Sequence, residues 1–370
     1  MSRLGAVAAA LAVILLAAAA QASDWPTRPV KIIAPSSPGG AADTFARLLA
    51  DNLGEYVNGK FFVENRAGAG GLLGAAMTAR AEPDGYTFVT SSVGYHVIAP
   101  AMNANAGFDP LRDFTHVAFL GGPPNVLVVN PALGVRTFEE FLALARRQPL
   151  DYVSPGVGSH GQLVSEYFAQ QAGIRLQHVP HRGAAPAMMD LIAGTVKVGT
   201  MTWTTAIGQI RGKQIIPLAV SSDARLAEFP DLPTFKELGY PDLVTTTWYA
   251  LSGPAGLPPE ITQKLNTAVT RILADPEVRK RYARDAIEVR PMSSDDVTAY
   301  MAREIEKWGP IAQLTVTSRR IIDQRTMGDG MSAPLQEIAL RMPVRSAAPS
   351  ARRGRRAHVR RPQRSRQPWH

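Results

Sequence analysis

The chain has 370 residues, enough for two ordinary domains, and its 45% hydrophobic and 19% charged residues exclude wholesale disorder of the body. Cysteine is absent, which excludes disulfides, thiolate metal sites, cysteine nucleophiles and a lipidated N-terminal cysteine. The formal net charge of +9 suggests a nucleic-acid binder until it is divided: residues 312–370 carry 13 Arg, no Lys and 3 acids, residues 1–22 carry only Arg3, and residues 23–311 carry 26 basic and 28 acidic residues, a balance of −2.

The N-terminus has Arg3, an apolar run from Leu4 to Ala20, and then Ala20-Gln21-Ala22. A basic start, an apolar stretch and small residues before the cut predict a secretory signal over residues 1–22, cleaved after Ala22 to give an exported, periplasmic protein. At 17 residues the run falls a little short of a spanning helix, and an uncleaved anchor is the alternative.

From Trp25 short apolar runs alternate with amphipathic stretches, the pattern of an α/β protein with parallel strands. Strands are predicted at Pro29–Pro35, Phe61–Asn65 and Tyr86–Ser91, and each ends in a small polar or Gly-rich loop that opens a helix. The first two of these helices are Ala42–Val57 and one reaching Arg80. Two strands follow, Thr115–Leu120 and Asn125–Asn130, with Gly121-Gly122-Pro123-Pro124 between them. A second series then runs as helix Phe138–Arg147, strand Asp151–Ser154, helix Ser159–Ala172, strand Gln177–Pro180 and helix Ala184–Ala193. It continues with strand Lys197–Thr202, helix Thr204–Arg211 and strand Ile215–Ser221. A late strand at Thr245–Leu251 and long helices at Pro258–Ala274 and Asp295–Trp308 close the body, with Ser294 as an N-cap.

The break at 121–124 and the late strand predict two lobes joined by two crossings, the second inserted into the first. The boundaries are a signal at 1–22, one lobe at 23–122 plus 246–311, and the other at 123–245. Residues 312–370, with Arg clusters among Ala, Ser, Pro and Gln, are predicted as a disordered tail; a nucleic-acid arm is the alternative. Between the lobes lies a cleft lined by loops at strand ends.

Gly156-Val157-Gly158-Ser159-His160-Gly161 fits G-x-G-x-x-G, yet the acid a dinucleotide needs about 20 residues later is missing, so no cofactor is expected. The physics that remains is more general: N–H groups at a helix N-terminus bind an anion, and small residues let it approach. Ser154 and Ser159 add hydroxyls at this place. The same chemistry is offered by Ser36, Ser37, Gly39 and Gly40, by Ala67 and Gly68, and by Ser91 and Ser92. Each loop alone reads first as a turn with a helix cap; four converging from two lobes suit a carboxylate. His160 and His181 lie near these loops, where a cap or core role is the alternative to a ligand. No H-x-x-x-H, H-E-x-x-H or G-x-S-x-G occurs, so neither a metal site nor a serine hydrolase is expected. Trp203, Trp248 and Tyr249 are candidates either for a pocket wall or for the core.

The run Trp25-Pro26-Thr27-Arg28-Pro29-Val30-Lys31-Ile32-Ile33, with Pro38-Gly39-Gly40, resembles the mature start of the tripartite tricarboxylate transporter substrate-binding proteins, the Bug family. In order follow Val63–Gly71, Pro83–Tyr86, Asp113-Phe114, Pro124–Leu127, Gly156–Ser159, Val179–Gly183, Trp248-Tyr249 with Pro254–Gly256, and Ala274–Val278. The resemblance spans residues 25–311. It implies an α/β, two-lobed fold of the periplasmic binding protein type II kind, closing on a small organic carboxylate and delivering it to membrane permease subunits. The implied ligand loops are Ser36–Gly40, Ala67–Gly71, Ser91-Ser92, Ser154–His160 and His181–Gly183, with Thr202 beside them. Met201 stands where many relatives carry Asp, which argues against an amino-acid ligand, and the sequence leaves the family pattern after Ile311. The expected protein is a monomer with no nucleic-acid partner. An α/β enzyme acting on a small organic acid is the main rival and needs a base or metal that no motif supplies. A nucleic-acid binder using the tail is the second.

Overall fold

The computed structural model describes residues 25–103 and 105–328, with side chains to 313; the predicted signal at 1–22 and the chain after 328 lie outside the described residues. The chain through Ile322 forms one compact unit, and Asp323–His370 is a second, of which only the end of the last helix is described. Among the described residues the strands form two five-stranded sheets. The first takes β1 (Val30–Ala34), β2 (Phe61–Asn65), β3 (Thr87–Ser92), β4 (Phe114–Gly121) and the late β10 (Tyr249–Pro254), in the order β2-β1-β3-β10-β4. The second takes β5 (Asn125–Val129), β6 (Leu150–Ser154), β7 (Leu176–Pro180), β8 (Val198–Thr202) and β9 (Ile216–Val220), in the order β7-β6-β8-β5-β9. Each sheet with its helices is one lobe of an α/β fold, and the second lobe is an insertion between β4 and β10 of the first.

Strand direction departs from the all-parallel expectation in one way. β1 pairs in parallel with β2 and β3, and β6 with β7 and β8. β10 is antiparallel to β3 and β4, and β5 is antiparallel to β8 and β9. These are the two strands that the chain enters directly from the other lobe. A strand reached through a crossover helix returns parallel, whereas one entered straight from a crossing has no such constraint. The two apolar runs around Gly121-Gly122-Pro123-Pro124 therefore belong to different sheets. The return crossing occupies Thr245–Trp248, predicted as strand, and runs beside the outward one: Thr247 N–H donates to Pro123 O (2.7 Å) and Thr245 N–H to Ser221 O (2.9 Å).

Helices cover the sheets where their apolar stripes require it. α1 (Ala41–Val57) buries Phe45, Leu49, Leu53 and Val57, each four apart, against the first sheet. α2 (Leu72–Ala79) covers its other face. On the second sheet lie α3 (Phe138–Arg147), α4 (His160–Ala172), α5 (Ala184–Ala193) and α6 (Trp203–Arg211). α7 (Pro259–Ala274) returns to the first sheet beside α1 and buries Ile261, Leu265 and Ile272. α8 (Pro276–Arg284) was not expected, because only Val278 and Tyr282 of its nine residues are buried. Its start is nevertheless written locally: Asp275 accepts from the N–H groups of Glu277 and Val278, and Pro276 occupies the first helical position.

The last helix, α9 (Ser294–Gly328), corrects the end of the body. It runs through Pro310 and past the expected boundary at 311, and Ala312 is buried with Trp308, Trp248 and Val97. Pro310 is exposed, so the carbonyl that its missing N–H leaves unpaired can be met by water.

Candidate functional site

Between the two sheets lies a cleft that opens to solvent. The first lobe lines it with Ser36, Gly40, Ala67–Gly71, Ser92, Tyr95 and Tyr249. The second contributes Asn125, Ser159, His160, His181–Ala184, Thr200, Thr202 and Thr205, and the return crossing contributes Thr247. Three helices begin at this cleft without a side-chain cap: α1 at Gly40, α5 at Gly183 and α6 at Thr202. Each N-terminus carries roughly half a positive charge from its peptide dipoles, although the first N–H of α6, at Trp203, is taken by Pro124 O (2.8 Å). Because they come from both lobes, the cleft holds a positive potential at its centre made almost entirely of neutral groups.

The first-turn acid Asp43 of α1 would oppose this if it were free. It is buried and held by Gly39 N–H (3.0 Å), Asn65 Nδ2 (2.9 Å) and Arg47 Nε (3.0 Å). Burial pushes its pKa up, but the hydrogen bonds from Arg47, Gly39 and Asn65 together outweigh burial and hold it below the usual carboxylate value. Asp43 thereby ties the β1–α1 loop down. Tyr95 and Tyr249 stay protonated because burial drives both phenols up. Among the described lining residues no Asp or Glu is present, and Arg182 is the only Lys or Arg.

Of the residues singled out in the sequence, Ser36, Gly40, Ala67, Gly68, Ser92, Ser159, His160, His181 and Thr202 line the cleft. Ser37, Gly39, Ser91, Ser154, Gly156 and Gly158 are not among its lining residues. Ser91 Oγ bonds Ser252 Oγ (2.8 Å) and Ala250 O (3.1 Å), which joins β3 to β10 inside the first sheet. Ser154 Oγ meets His178 Nε2 at 2.6 Å and accepts from Ser159 Oγ at 3.2 Å. Ser159 caps α4 by accepting from Gln162 N–H (3.2 Å). Gly156 and Gly158 shape the loop between β6 and α4.

The two histidines are engaged elsewhere. His160 Nδ1 lies 2.9 Å from Thr247 Oγ1 and 3.1 Å from Asn125 Nδ2, while Nε2 lies 3.1 Å from Thr245 Oγ1. Burial, and secondly the Lys307 charge, push its pKa down to about 3, so the ring is a neutral clamp between α4 and both crossings. His181 Nε2 pairs with Asp190 at 2.7 Å and Nδ1 faces Val179 O at 3.1 Å. What these positions offer a ligand is backbone.

For the aromatic candidates the core alternative holds for two: Trp203 packs on Phe229 and Trp248 on Tyr300, and only Tyr249 reaches the cleft. Met201 is buried in the second lobe's core while its neighbours Thr200 and Thr202 line the cleft, as strand alternation requires. The identity of residue 201 therefore does not bear on a ligand amine. Sequence reading missed Tyr95, Asn125, Thr200, Thr205 and Thr247 as lining residues. Thr200 could have been found from the alternation with Thr202, whereas Tyr95 sits in a π-helical turn, Val93–Ile98, with no signature in spacing.

The lobes meet at glycines. A Cβ on Gly183 would fall 2.2 Å from Ser37 Oγ, and one on Gly70 would fall 2.0 Å from Val157 O. Both contacts pair a loop of one lobe with a loop of the other, and bare backbone at these two positions is what lets them come this close.

Comparison with known proteins agrees with this geometry. Residues 45–316 match the family described as "Tripartite tricarboxylate transporter family receptor". Protein BugT of Bordetella pertussis is 31% identical over 81% of this chain and 93% of its own. A structure of R. palustris Rpa4515 with adipate superposes with a TM-score of 0.76 at 32% identity, covering 79% of this chain and 98% of that one. MatC of Rhodopseudomonas palustris with bound malate superposes with a TM-score of 0.74 at 28% identity, covering 78% and 100%. With a receptor-family match over residues 45–316 and a 31% identical relative covering 81% of it, the chain belongs to the tripartite tricarboxylate transporter receptors of the Bug family, a family of periplasmic solute-binding receptors.

Proposed function

We propose that this protein captures a small organic carboxylate in the interlobe cleft and delivers it to the membrane permease subunits of a tripartite tricarboxylate-type transporter. The observation that carries the reading is the convergence of the uncapped ends of α1, α5 and α6 on one cleft without an Asp or Glu in its described lining. Such a site favours an anion, gives an ammonium no counter-charge, and strengthens as closure removes water. The structures with adipate and malate support the same ligand class.

In this reading the lobes comprise residues 23–122 plus 246–322, which takes in most of α9, and residues 123–245, moving about the crossings at 121–125 and 245–249. Residues 1–22 direct export and are removed, and the receptor works as a monomer without nucleic acid. The ligand contacts are Ser36, Gly40, Ala67, Gly68, Ser92, Ser159 and Thr202, together with backbone at His160 and His181. A thermal-shift screen against mono-, di- and tricarboxylates, amino acids and sugars tests the function. At least one carboxylate is expected to raise the melting temperature; stabilisation only by amino acids or sugars contradicts it.

A further inference from the structure

We infer that residues walling a second cavity, behind the two crossings, set the ligand affinity of the cleft without touching the ligand. The inference rests on the lobe motion proposed above and names where that motion is limited.

The crossings run side by side as a short ribbon, in which Pro124 bridges Thr246 in antiparallel fashion. Successive side chains of such a ribbon point to opposite faces. Pro124 and Thr246 line the second cavity, while the next residues along, Asn125 and Thr247, line the cleft. The ribbon is therefore a partition, with the cleft on one face and the cavity on the other. The remaining walls of the cavity come from both lobes: Ser222 follows β9 of the second, and Tyr300 belongs to α9 of the first. Ala286, between α8 and α9, lines it too and packs against the apolar core of the second lobe. His160 ties the two spaces together, because it lines the cleft and its Nε2 lies 3.1 Å from Oγ1 of Thr245, a cavity residue.

Two lobes turning about a thin partition cannot narrow both sides at once. The lobes meet across the cleft, where Gly70 approaches Val157 and Gly183 approaches Ser37, while a cavity remains behind the ribbon. Widening the cleft swings the lobes together behind the ribbon, Ser222 toward Tyr300. A side chain that fills the cavity in the narrow-cleft arrangement obstructs the wide one. It shifts the population toward the arrangement in which both lobes reach the ligand, and the apparent affinity rises with that fraction.

The chain has no cysteine, so spin labels at two introduced cysteines are specific. Leu73→Cys and Met189→Cys, exposed and on opposite lobes, report lobe separation by electron paramagnetic resonance in ligand-free protein. The parent is expected to show a long-distance population, and Ser222→Phe and Thr246→Phe are each expected to move most of it to the short distance. In calorimetry with whichever mono-, di- or tricarboxylate most stabilises the parent, each variant is expected to bind at least about threefold tighter. Label distances that match the parent's, or binding no tighter than the parent's, overturn the inference and leave the carboxylate site standing. Loss of the fold in both variants overturns it too, because it denies the room behind the ribbon. A parent with the short distance alone overturns the lobe motion and this inference with it. If no acid binds, the carboxylate reading falls and the label distances still decide this inference.

Discussion

The hydroxyl of Ser159 accepts from Gln162 N–H and donates to Ser154 Oγ, so its capacity is largely used before any ligand arrives. Its removal should act first on the helix it caps. Ser159→Ala is expected to lower stability by about 1 kcal/mol, the usual value of a lost N-cap, and to weaken carboxylate binding by less than about tenfold. Urea unfolding measures the first and calorimetry the second; an unchanged unfolding midpoint would contradict the capping role. Glu304 illustrates the opposite case, an acceptor with no substitute. One of its oxygens receives the indole N–H groups of both Trp248 (2.8 Å) and Trp308 (3.1 Å), and both rings are buried. Glu304→Ala leaves two buried donors unmet and is expected to cost about 2–4 kcal/mol, while Glu304→Gln keeps an acceptor and costs less. Equal stability of the two variants in urea unfolding would show that the hydrogen bonds are not what matters there.

At the scale of elements, what was legible in the sequence is what depends on neighbours in the chain. The apolar spacing of α3 marked its residues, Phe138–Arg147, and the structure adds a capping box between Thr137 and Glu140 at its start; α5 was equally plain. The Gly-rich ends of β1 and β2 and the start of α4 were readable as anion-type loops, since small residues and helix starts are local signals. Strand direction was not, because whether β5 and β10 run parallel is decided by partners far along the chain. Nor was the front of the cleft separable from its back. Ser92 faces the ligand space and Ser91 the sheet interior by alternation alone, and only the register against β10 says which is which. The length of α9 was hidden by Pro310, a residue that ordinarily ends a helix and here lies on its exposed side.

For the whole molecule, three buried histidines couple stability to pH. His96, His116 and His160 are all enclosed, and burial lowers the pKa of each: His116 to about 4, His160 to about 3, and His96 well below its ordinary value. Unfolded, each returns to about 6.5, so below that pH the unfolded chain binds more protons than the folded one. Stability is therefore full above pH 6.5 and falls as the pH drops toward the folded values. At pH 5.5 His116 and His160 should each cost about 1.4 kcal/mol relative to pH 8. Urea unfolding at the two values checks this, and a midpoint that does not fall on acidification would mean that these rings are hydrated in the fold. Ligand capture belongs to the same scale, because the uncapped helix ends come from both lobes and act together only when the lobes close. The measurement that tests this most directly is calorimetry of the protein with a stabilising carboxylic acid and with its methyl ester, which keeps the shape and removes the charge. The acid is expected to bind and the ester to bind at least a hundredfold more weakly, about 3 kcal/mol, as suits a charged acceptor on several N–H donors. An ester that binds as tightly as the acid would contradict an anion site at the helix ends.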